Sequence, residues 1–163
     1  MKVKLLLLFV LFVLAVSVNA QNKDEKTFKF GAGALIGLPM GDYNDVASLA
    51  YGIDLMGEYA VAPNIALTLS AGFLDWALKN GYSGNSSSIP VLLGGKYSFS
   101  DKLYGSLQAG ITYQTESGGS AFTFAPGIGY KISKKFDLLL KYQSAVANSI
   151  DMSFLGLRAI YTF

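Results

Sequence analysis

Apolar and polar side chains alternate with a period of two residues along most of the chain, from Phe28 to Phe163. In the last segment, alternate residues from Leu155 onwards form an apolar face, whereas Gly156 and Arg158 fall on the opposite face. Successive side chains of a β-strand point to opposite faces, so this period predicts strands. The apolar face suits hydrocarbon, and a strand can lie in a bilayer only within a closed barrel.

The alternating segments predict eight strands, most of them about as long as a tilted strand must be to span a bilayer. An even number of strands is typical of bacterial barrels, and eight lies at the small end of their range. The sequence therefore predicts an all-β fold, an eight-stranded antiparallel transmembrane β-barrel. The predicted strands are Phe28–Leu38, Tyr51–Val61, Ile65–Asp75, Ile89–Phe99, Leu103–Tyr113, Phe122–Ile132, Phe136–Gln143 and Met152–Phe163.

The outward face of this barrel is predicted to be apolar and to carry aromatic side chains at both ends. With alternating strand direction, Tyr59, Tyr97 and Tyr161 collect at one end, and Tyr51 and Tyr113 at the other. Aromatic girdles at both interfaces are typical of transmembrane barrels. The alternative, the core of a soluble sandwich, is disfavoured because a soluble sheet needs polar residues on its outer face.

Pro126 falls near the middle of the sixth predicted strand. Proline has no N–H group to donate to a strand ladder, and inside a sheet it is found at edges and bulges. The sequence therefore predicts a bulge at this position.

The N-terminal residues have the pattern of a secretory signal peptide. Lys2 and Lys4 precede an apolar run, and Val18-Asn19-Ala20 offers small residues at a cleavage site. We therefore divide the chain into a signal peptide, residues 1–20, an N-terminal tail, residues 21–27, and a barrel domain, residues 28–163.

Composition excludes several classes of function. Two of the 13 basic residues belong to the predicted signal peptide, which leaves 11 to balance the 11 acidic residues. Without the signal peptide the chain therefore has no net positive charge that would indicate nucleic-acid binding. The chain has no cysteine and no histidine, so it lacks the Ser–His and Cys–His nucleophile pairs and the usual soft metal ligands. We expect no enzymatic activity, no catalytic residue, no cofactor and no bound metal.

Together these features resemble the small eight-stranded outer-membrane barrels, the OmpA- and OmpX-like family, whose members are often labelled porin-like. The resemblance is carried by the signal ending Val18-Asn19-Ala20, the eight alternating segments and the ending Arg158-Ala159-Ile160-Tyr161-Thr162-Phe163. It implies a monomer in the cell outer membrane, in contact with membrane lipids and lipopolysaccharide. It also implies that Tyr161 and Phe163 in the C-terminal strand act as an insertion signal for the barrel-assembly machinery.

The connections between the predicted strands alternate in length. Short turns follow the second, fourth and sixth strands, and longer loops rich in Gly, Ser, Asn and Asp follow the others. Outer-membrane barrels have short periplasmic turns and longer external loops. Both termini are therefore expected in the periplasm.

The inward face combines charged side chains with many glycines. The interior of an eight-stranded barrel is just wide enough for side chains to fill it, and an unpaired buried charge is costly. We therefore predict a lumenal ion-pair network centred on Glu58, Lys96 and Arg158, with Lys141 and Asp54 above it. The network is interpreted as a packed polar plug that fixes the barrel, and a regulated narrow pore is the alternative.

Towards the outer end the inward face becomes apolar, with Leu35, Leu74, Trp76, Leu92 and Phe154. Ordinary packing explains these residues. The alternative is an apolar pocket that opens to the outside and holds a lipid tail or a small hydrophobic molecule.

Function has to be argued from a site rather than from the fold. The sequence predicts a structural or surface-interaction role for a barrel with a plugged polar lumen. The first alternative is a narrow pore, or a binding barrel for small or hydrophobic solutes. The second is an adhesin or immune-evasion surface protein that acts through the loops at residues 39–50 and 76–88.

Overall fold

The structure is a computed structural model that describes residues 28–81, 86–116, 118–147 and 150–163. The predicted signal peptide, its cleavage site after Ala20 and the N-terminal tail lie outside the described residues. Within these ranges, no helix is both long enough and apolar enough to cross a membrane.

The described residues form eight strands and a one-turn helix. All eight predicted strands are present, and several run further at the ends that the longer loops connect. β2, for example, begins at Ala47 rather than Tyr51, because backbone pairing needs no apolar side chains. The bounds are β1 Phe28–Gly41, α1 Tyr43–Val46, β2 Ala47–Ala62, β3 Ile65–Leu78, β4 Ser87–Ser98, β5 Leu103–Gln114, β6 Ser120–Lys131, β7 Phe136–Ala147 and β8 Ile150–Thr162.

The strands close into one antiparallel barrel in sequence order. β1 pairs with β2 on one side and with β8 on the other, where Gly31 lies opposite Thr162 and Gly41 opposite Met152. The N–H of Phe163 then donates to the carbonyl oxygen of Phe30 over 2.9 Å. Closure leaves no unpaired strand edge, which is the condition for placing strands in a bilayer.

The two faces of the wall carry opposite chemistry, as the alternation predicted. Ile53 on the outer face is 68% exposed, whereas Met56, three residues along the same strand and on the inner face, is 7% exposed. The outer surface is a continuous apolar belt with exposed aromatic rings at both ends, among them Tyr59, Tyr97 and Tyr161 at one end and Tyr51 at the other. Such a surface is stable only against hydrocarbon.

The barrel has two distinct ends. At the short-turn end lie Phe28, Phe163 and the β2–β3, β4–β5 and β6–β7 connections; at the long-loop end lie the other four connections. Two short turns share the same hydrogen bond from the backbone to a serine side chain. Ser100 Oγ accepts from the N–H of Leu103 over 3.1 Å, and Ser133 Oγ accepts from the N–H of Phe136 over 3.1 Å. A serine at the first turn position is a typical way to satisfy these donors.

The predicted bulge at Pro126 is wrong. The β6–β7 register is the same on both sides of the proline, from Phe124 opposite Ser144 to Gly127 opposite Lys141, and only the two intervening pairs are missing. Both missing pairs depend on a bond from an N–H at position 126 to the carbonyl of Tyr142, which proline cannot donate. The wall therefore tolerates the proline through a gap in one ladder, while pairing with β5 stays continuous.

Candidate functional site in the lumen

Six ionisable side chains gather in the lumen, between its middle and the short-turn end. Strand alternation turns them inward from four strands: Asp54 and Glu58 on β2, Lys96 on β4, Asp137 and Lys141 on β7, and Arg158 on β8. All five residues of the predicted network thus share the lumen. They divide into two separate ion-pair groups and one lysine that is in neither.

The first group pairs Arg158 with Asp54. Arg158 is only 1% exposed, and its Nε and Nη2 donate to Asp54 Oδ1 over 3.1 Å and 2.7 Å. Gly33 lies opposite Asp54 in the β1–β2 register, and a Cβ there would come within 2.7 Å of Arg158 Nε. The glycine on β1 therefore supplies the room that the guanidinium occupies.

The second group joins Lys96 to two carboxylates and a phenol. Lys96 Nζ lies 2.9 Å from Glu58 Oε2 and 3.7 Å from Asp137 Oδ2. Tyr104 donates its hydroxyl to Asp137 Oδ2 over 2.5 Å, and Lys96 Nζ sits 4.0 Å from the centre of the Tyr104 ring. A Cβ at Gly129 would overlap that ring, so this glycine gives Tyr104 its place.

The predicted centre of the network differs from this arrangement. Arg158 bonds to Asp54 and forms no ion pair with Glu58, and Asp137 takes the second position beside Lys96. Strand alternation turns Asp137 and Tyr104 inward, and their contact with Lys96 joins β4, β5 and β7 across the lumen. Such contacts depend on barrel size and stagger, which the alternation of one strand does not encode.

Lys141 has a different environment. It is buried, and its Nζ donates to Gln143 Oε1 over 2.7 Å and lies 5.8 Å from the ring centre of Phe154. Among the described residues, no carboxylate lies within 4.0 Å of this ammonium group. Lys141 therefore sits at the boundary between the ionic middle of the lumen and its apolar end.

Neutral polar side chains complete the middle of the lumen. Gln108 Nε2 donates to Thr68 Oγ1 and Ser70 Oγ, both over 3.2 Å, and the hydroxyls of Thr112 and Thr123 are 2.6 Å apart. Across the part of the chain that the structure describes, every buried side-chain nitrogen and oxygen has a hydrogen-bond partner. The polar interior therefore meets the condition that makes buried polar groups tolerable.

The long-loop end of the lumen is apolar and packed. Leu35, Leu74, Trp76 and Phe154 belong to one buried cluster, and Phe154 is 0% exposed. Leu92, the fifth residue of the predicted pocket, is buried outside this cluster. The burial of these four residues in one cluster agrees with ordinary packing.

The helix α1 covers this cluster from the long-loop end. The ring of Tyr43 lies 4.7 Å from Trp76, whose own ring lies 5.8 Å from Phe154. The N–H of Asp151 donates to Asp42 Oδ2 over 2.8 Å, and Lys79 Nζ donates to the carbonyl of Asn44 over 2.5 Å. These bonds tie the first loop to β8 and to the second loop.

A concavity of about 990 Å³ lies on the outer wall rather than in the lumen. Outward apolar side chains of β4 to β8, including Phe124, Pro126 and Leu140, line most of it. Most of its lining faces hydrocarbon, although Lys96, Ser106 and Gln108 from the inner face also border it.

The two residues of the predicted insertion signal are on the outer face at the short-turn end. Phe163 is 72% exposed, Tyr161 is also exposed, and their ring centres are 5.5 Å apart. Tyr161 lies on β8, the strand that closes the barrel, and Phe163 directly follows it.

Comparisons with known proteins match this architecture. The model of the outer membrane protein beta-barrel domain family matches residues 8–163. A search of curated proteins finds no significant match.

Several solved structures share the fold at low sequence identity. The N-terminal barrel domain of Pseudomonas aeruginosa OprF is 13% identical, with a TM-score of 0.59, over 85% of this chain and 100% of that chain. Ail of Yersinia pestis, solved in complex with the heparin analogue sucrose octasulfate, is 15% identical, with a TM-score of 0.57, over 86% and 100%. Neisserial surface protein A is 12% identical, with a TM-score of 0.51, over 86% and 100%.

At these identities the solved structures support the fold alone, whereas the family match covers nearly the whole chain. The closed barrel, its apolar outer belt and its paired lumenal charges agree with that match. The chain therefore belongs to the outer membrane protein beta-barrel domain family and is a transmembrane barrel of the outer membrane.

Proposed function

We propose that the protein is a structural and surface-interaction barrel whose lumen is closed to solutes. The observation that carries this proposal is the packing of the lumenal charges: Arg158 is buried against Asp54 at 2.7 Å, and Lys96 is held by Glu58 at 2.9 Å. A conducting path through the middle of the barrel would require both pairs to separate, and unpaired buried charges are costly.

The long-loop end supports the same proposal. Trp76 and Phe154 fill the space above the ion pairs, and Tyr43 of α1 packs on Trp76 from outside. A solute entering from this end would have to displace an aromatic stack that is tied to β8 through the Asp42–Asp151 hydrogen bond.

We propose that the long loops face the outside and that the short turns and both termini face the periplasm. The support is the asymmetry in connection length, which outer-membrane barrels share. In this orientation, the exposed rings of Tyr161 and Phe163 lie at the side from which the barrel-assembly machinery would receive β8. The barrel acts as a monomer in this proposal, and its closed sheet offers no strand edge for pairing with a second copy.

The discriminating experiment is single-channel recording on the refolded protein, combined with heat-modifiable gel migration. We expect no stepwise conductance from the natural protein or from the Lys96→Ala variant, and a lower unfolding temperature for the variant. Lys134→Ala, which changes an exposed lysine in the β6–β7 turn, is the control and should retain its heat resistance. Conductance that appears in Lys96→Ala with unchanged heat resistance would instead favour the narrow pore.

A surface-binding role is the second candidate, and the long-loop end favours it. α1 presents exposed Asn44 and Asp45 beyond the barrel rim, and the structural neighbour Ail is named as an attachment invasion locus protein. A polyanion such as the heparin analogue bound to Ail is a poor ligand for this end, because its described charges are mostly acidic. Replacing residues 42–46 with a short Gly-Ser turn should abolish binding to host cells or matrix, and unchanged binding would exclude α1 as the binding element.

A further inference from the structure

The charges of the described residues separate along the barrel axis. The long-loop end carries five acidic residues and one lysine, Lys79. The short-turn end carries one acidic residue, Asp101, and five lysines, of which Lys29 and Lys131 lie opposite the lumenal carboxylates Glu58 and Asp137 in the strand register. The six lumenal groups described above comprise three of each sign, so the described charges sum to zero while the two ends differ. The five acids are Asp42, Asp45, Asp75, Glu116 and Asp151, and the five lysines are Lys29, Lys102, Lys131, Lys134 and Lys135.

The lysines of the short-turn end form a basic collar (Lys29, Lys102, Lys131, Lys134 and Lys135) around the barrel mouth. Lys102 lies in the β4–β5 turn and Lys134 and Lys135 in the β6–β7 turn, whereas Lys29 and Lys131 stand at the ends of β1 and β6. Four of the five are exposed, and Lys131 is half-buried, with its Nζ 3.5 Å from Ser98 Oγ. None of the five forms an ion pair within the part of the chain that the structure describes.

The β6–β7 turn places one lysine of the basic collar beside an outward aromatic ring. Lys135 Nζ is 5.9 Å from the ring centre of Tyr161, which faces the lipid side of β8. Aromatic rings of transmembrane barrels occupy the headgroup level of the membrane. Lysines beside such rings keep their stems on apolar surface and place their ammonium groups among the headgroups.

We propose that the basic collar binds the anionic headgroups of phospholipids in the adjoining leaflet. A lipid leaflet fits better than a single soluble ligand, because the exposed turn lysines are distributed over two turns of the rim rather than converging on one pocket. Phosphodiester groups attract clustered surface lysines with an energy that adds roughly per charge. The opposite end, with its acidic excess, gains nothing from the same lipids. This inference goes beyond the proposed function and requires only that the barrel spans the bilayer.

The test uses the full barrel refolded in symmetric phosphatidylcholine bilayers with a spin-labelled probe lipid. Electron paramagnetic resonance gives the association of spin-labelled phosphatidylglycerol relative to spin-labelled phosphatidylcholine. We expect a preference for the anionic probe that weakens with salt. The triple variant K102Q/K134Q/K135Q should lose that preference, by at most about fivefold for each lysine removed.

Matched single variants separate this effect from a general change of charge. K102Q and K79Q each remove one positive charge, at the short-turn and long-loop ends respectively, and only K102Q should lower the preference. A photoreactive phosphatidylglycerol headgroup should crosslink to residues 99–105 and 131–136 rather than to residues 42–47. Heat-modifiable migration of every variant checks that the barrel has formed.

Two results would overturn the proposal. One is an equal association of both probes with the natural protein at low salt. The other is lysine-dependent retention on purified cell-wall sacculi without any lipid preference, which would assign the basic collar to an anionic polymer instead. Neither result depends on the orientation of the barrel or on its conductance, so neither would count for or against the proposed function.

Discussion

Side chains fill both the middle of the lumen, its ionic half, and the long-loop end, its apolar half, but the two halves have opposite chemistry. In the middle, Arg158, Lys96 and their carboxylates fill the space as hydrogen-bonded ion pairs. At the long-loop end, Trp76 and Phe154 fill it as an apolar cluster. The ionic half tolerates no missing partner, since removal of one member leaves a buried charge. The apolar half depends on volume, so it should accept substitutions that keep volume constant.

The largest expected effect comes from breaking one ion pair. Asp54→Ala leaves Arg158 without its carboxylate in a buried position, and it should lower the free energy of unfolding by about 3–5 kcal/mol. Reversible urea unfolding in lipid vesicles measures this change. The double variant Asp54→Ala/Arg158→Met should recover part of the loss, because no charge is then left unpaired. A loss below about 1 kcal/mol for the single variant would mean that this pair contributes no more to stability than a solvent-exposed ion pair.

The glycines that make room for the ionic half should come next. Gly129→Ala puts a methyl group into the ring of Tyr104, and overpacking of this kind typically destabilises by about 1–3 kcal/mol. Gly95→Ala is the matched control, because a Cβ at this outward position meets only one atom, at 3.8 Å. Equal unfolding curves for the two variants would show that Tyr104 moves freely and that the ionic half is loosely packed.

A conservative change in the apolar half should have a smaller effect. Leu74→Met keeps the volume and polarity of a buried member of the cluster, so it should cost less than about 1.5 kcal/mol. Urea unfolding under the same conditions allows a direct comparison with Asp54→Ala. If the two changes destabilise the barrel equally, the distinction between the halves fails.

The smallest expected effect lies in the wall that surrounds both halves. Pro126→Ala restores an N–H opposite the carbonyl of Tyr142, and one hydrogen bond should raise the free energy of unfolding by about 1 kcal/mol. Hydrogen exchange should show that protection rises in β7 near Tyr142 and stays constant in β5. Reduced stability would mean that the ring of Pro126 contributes more to the outer surface than the missing bond removes.

The ends of the barrel differ in what the sequence could predict about them. The Ser100 and Ser133 turns follow from short-range hydrogen bonds, so their positions could be predicted from a few residues. α1 was not predicted, because a single helical turn has no periodicity to detect, and its position depends on Tyr43 packing against Trp76. At Pro126 the sequence predicts a bulge, whereas the structure has a gap in the β6–β7 ladder. The sequence shows that the N–H donor is missing, but it does not show that the neighbouring strands keep their register.

The sequence by itself determined the strands, their faces and the closure of the barrel, because a period of two residues assigns every side chain to hydrocarbon or lumen. It also determined that Asp54, Glu58, Lys96, Lys141 and Arg158 would be enclosed together. Only the tertiary structure decided which of them pair, since contacts across the lumen depend on the tilt and stagger of all eight strands at once. The same reason explains why Asp137 and Tyr104 joined Lys96, and why Gly33 and Gly129 are needed beside them.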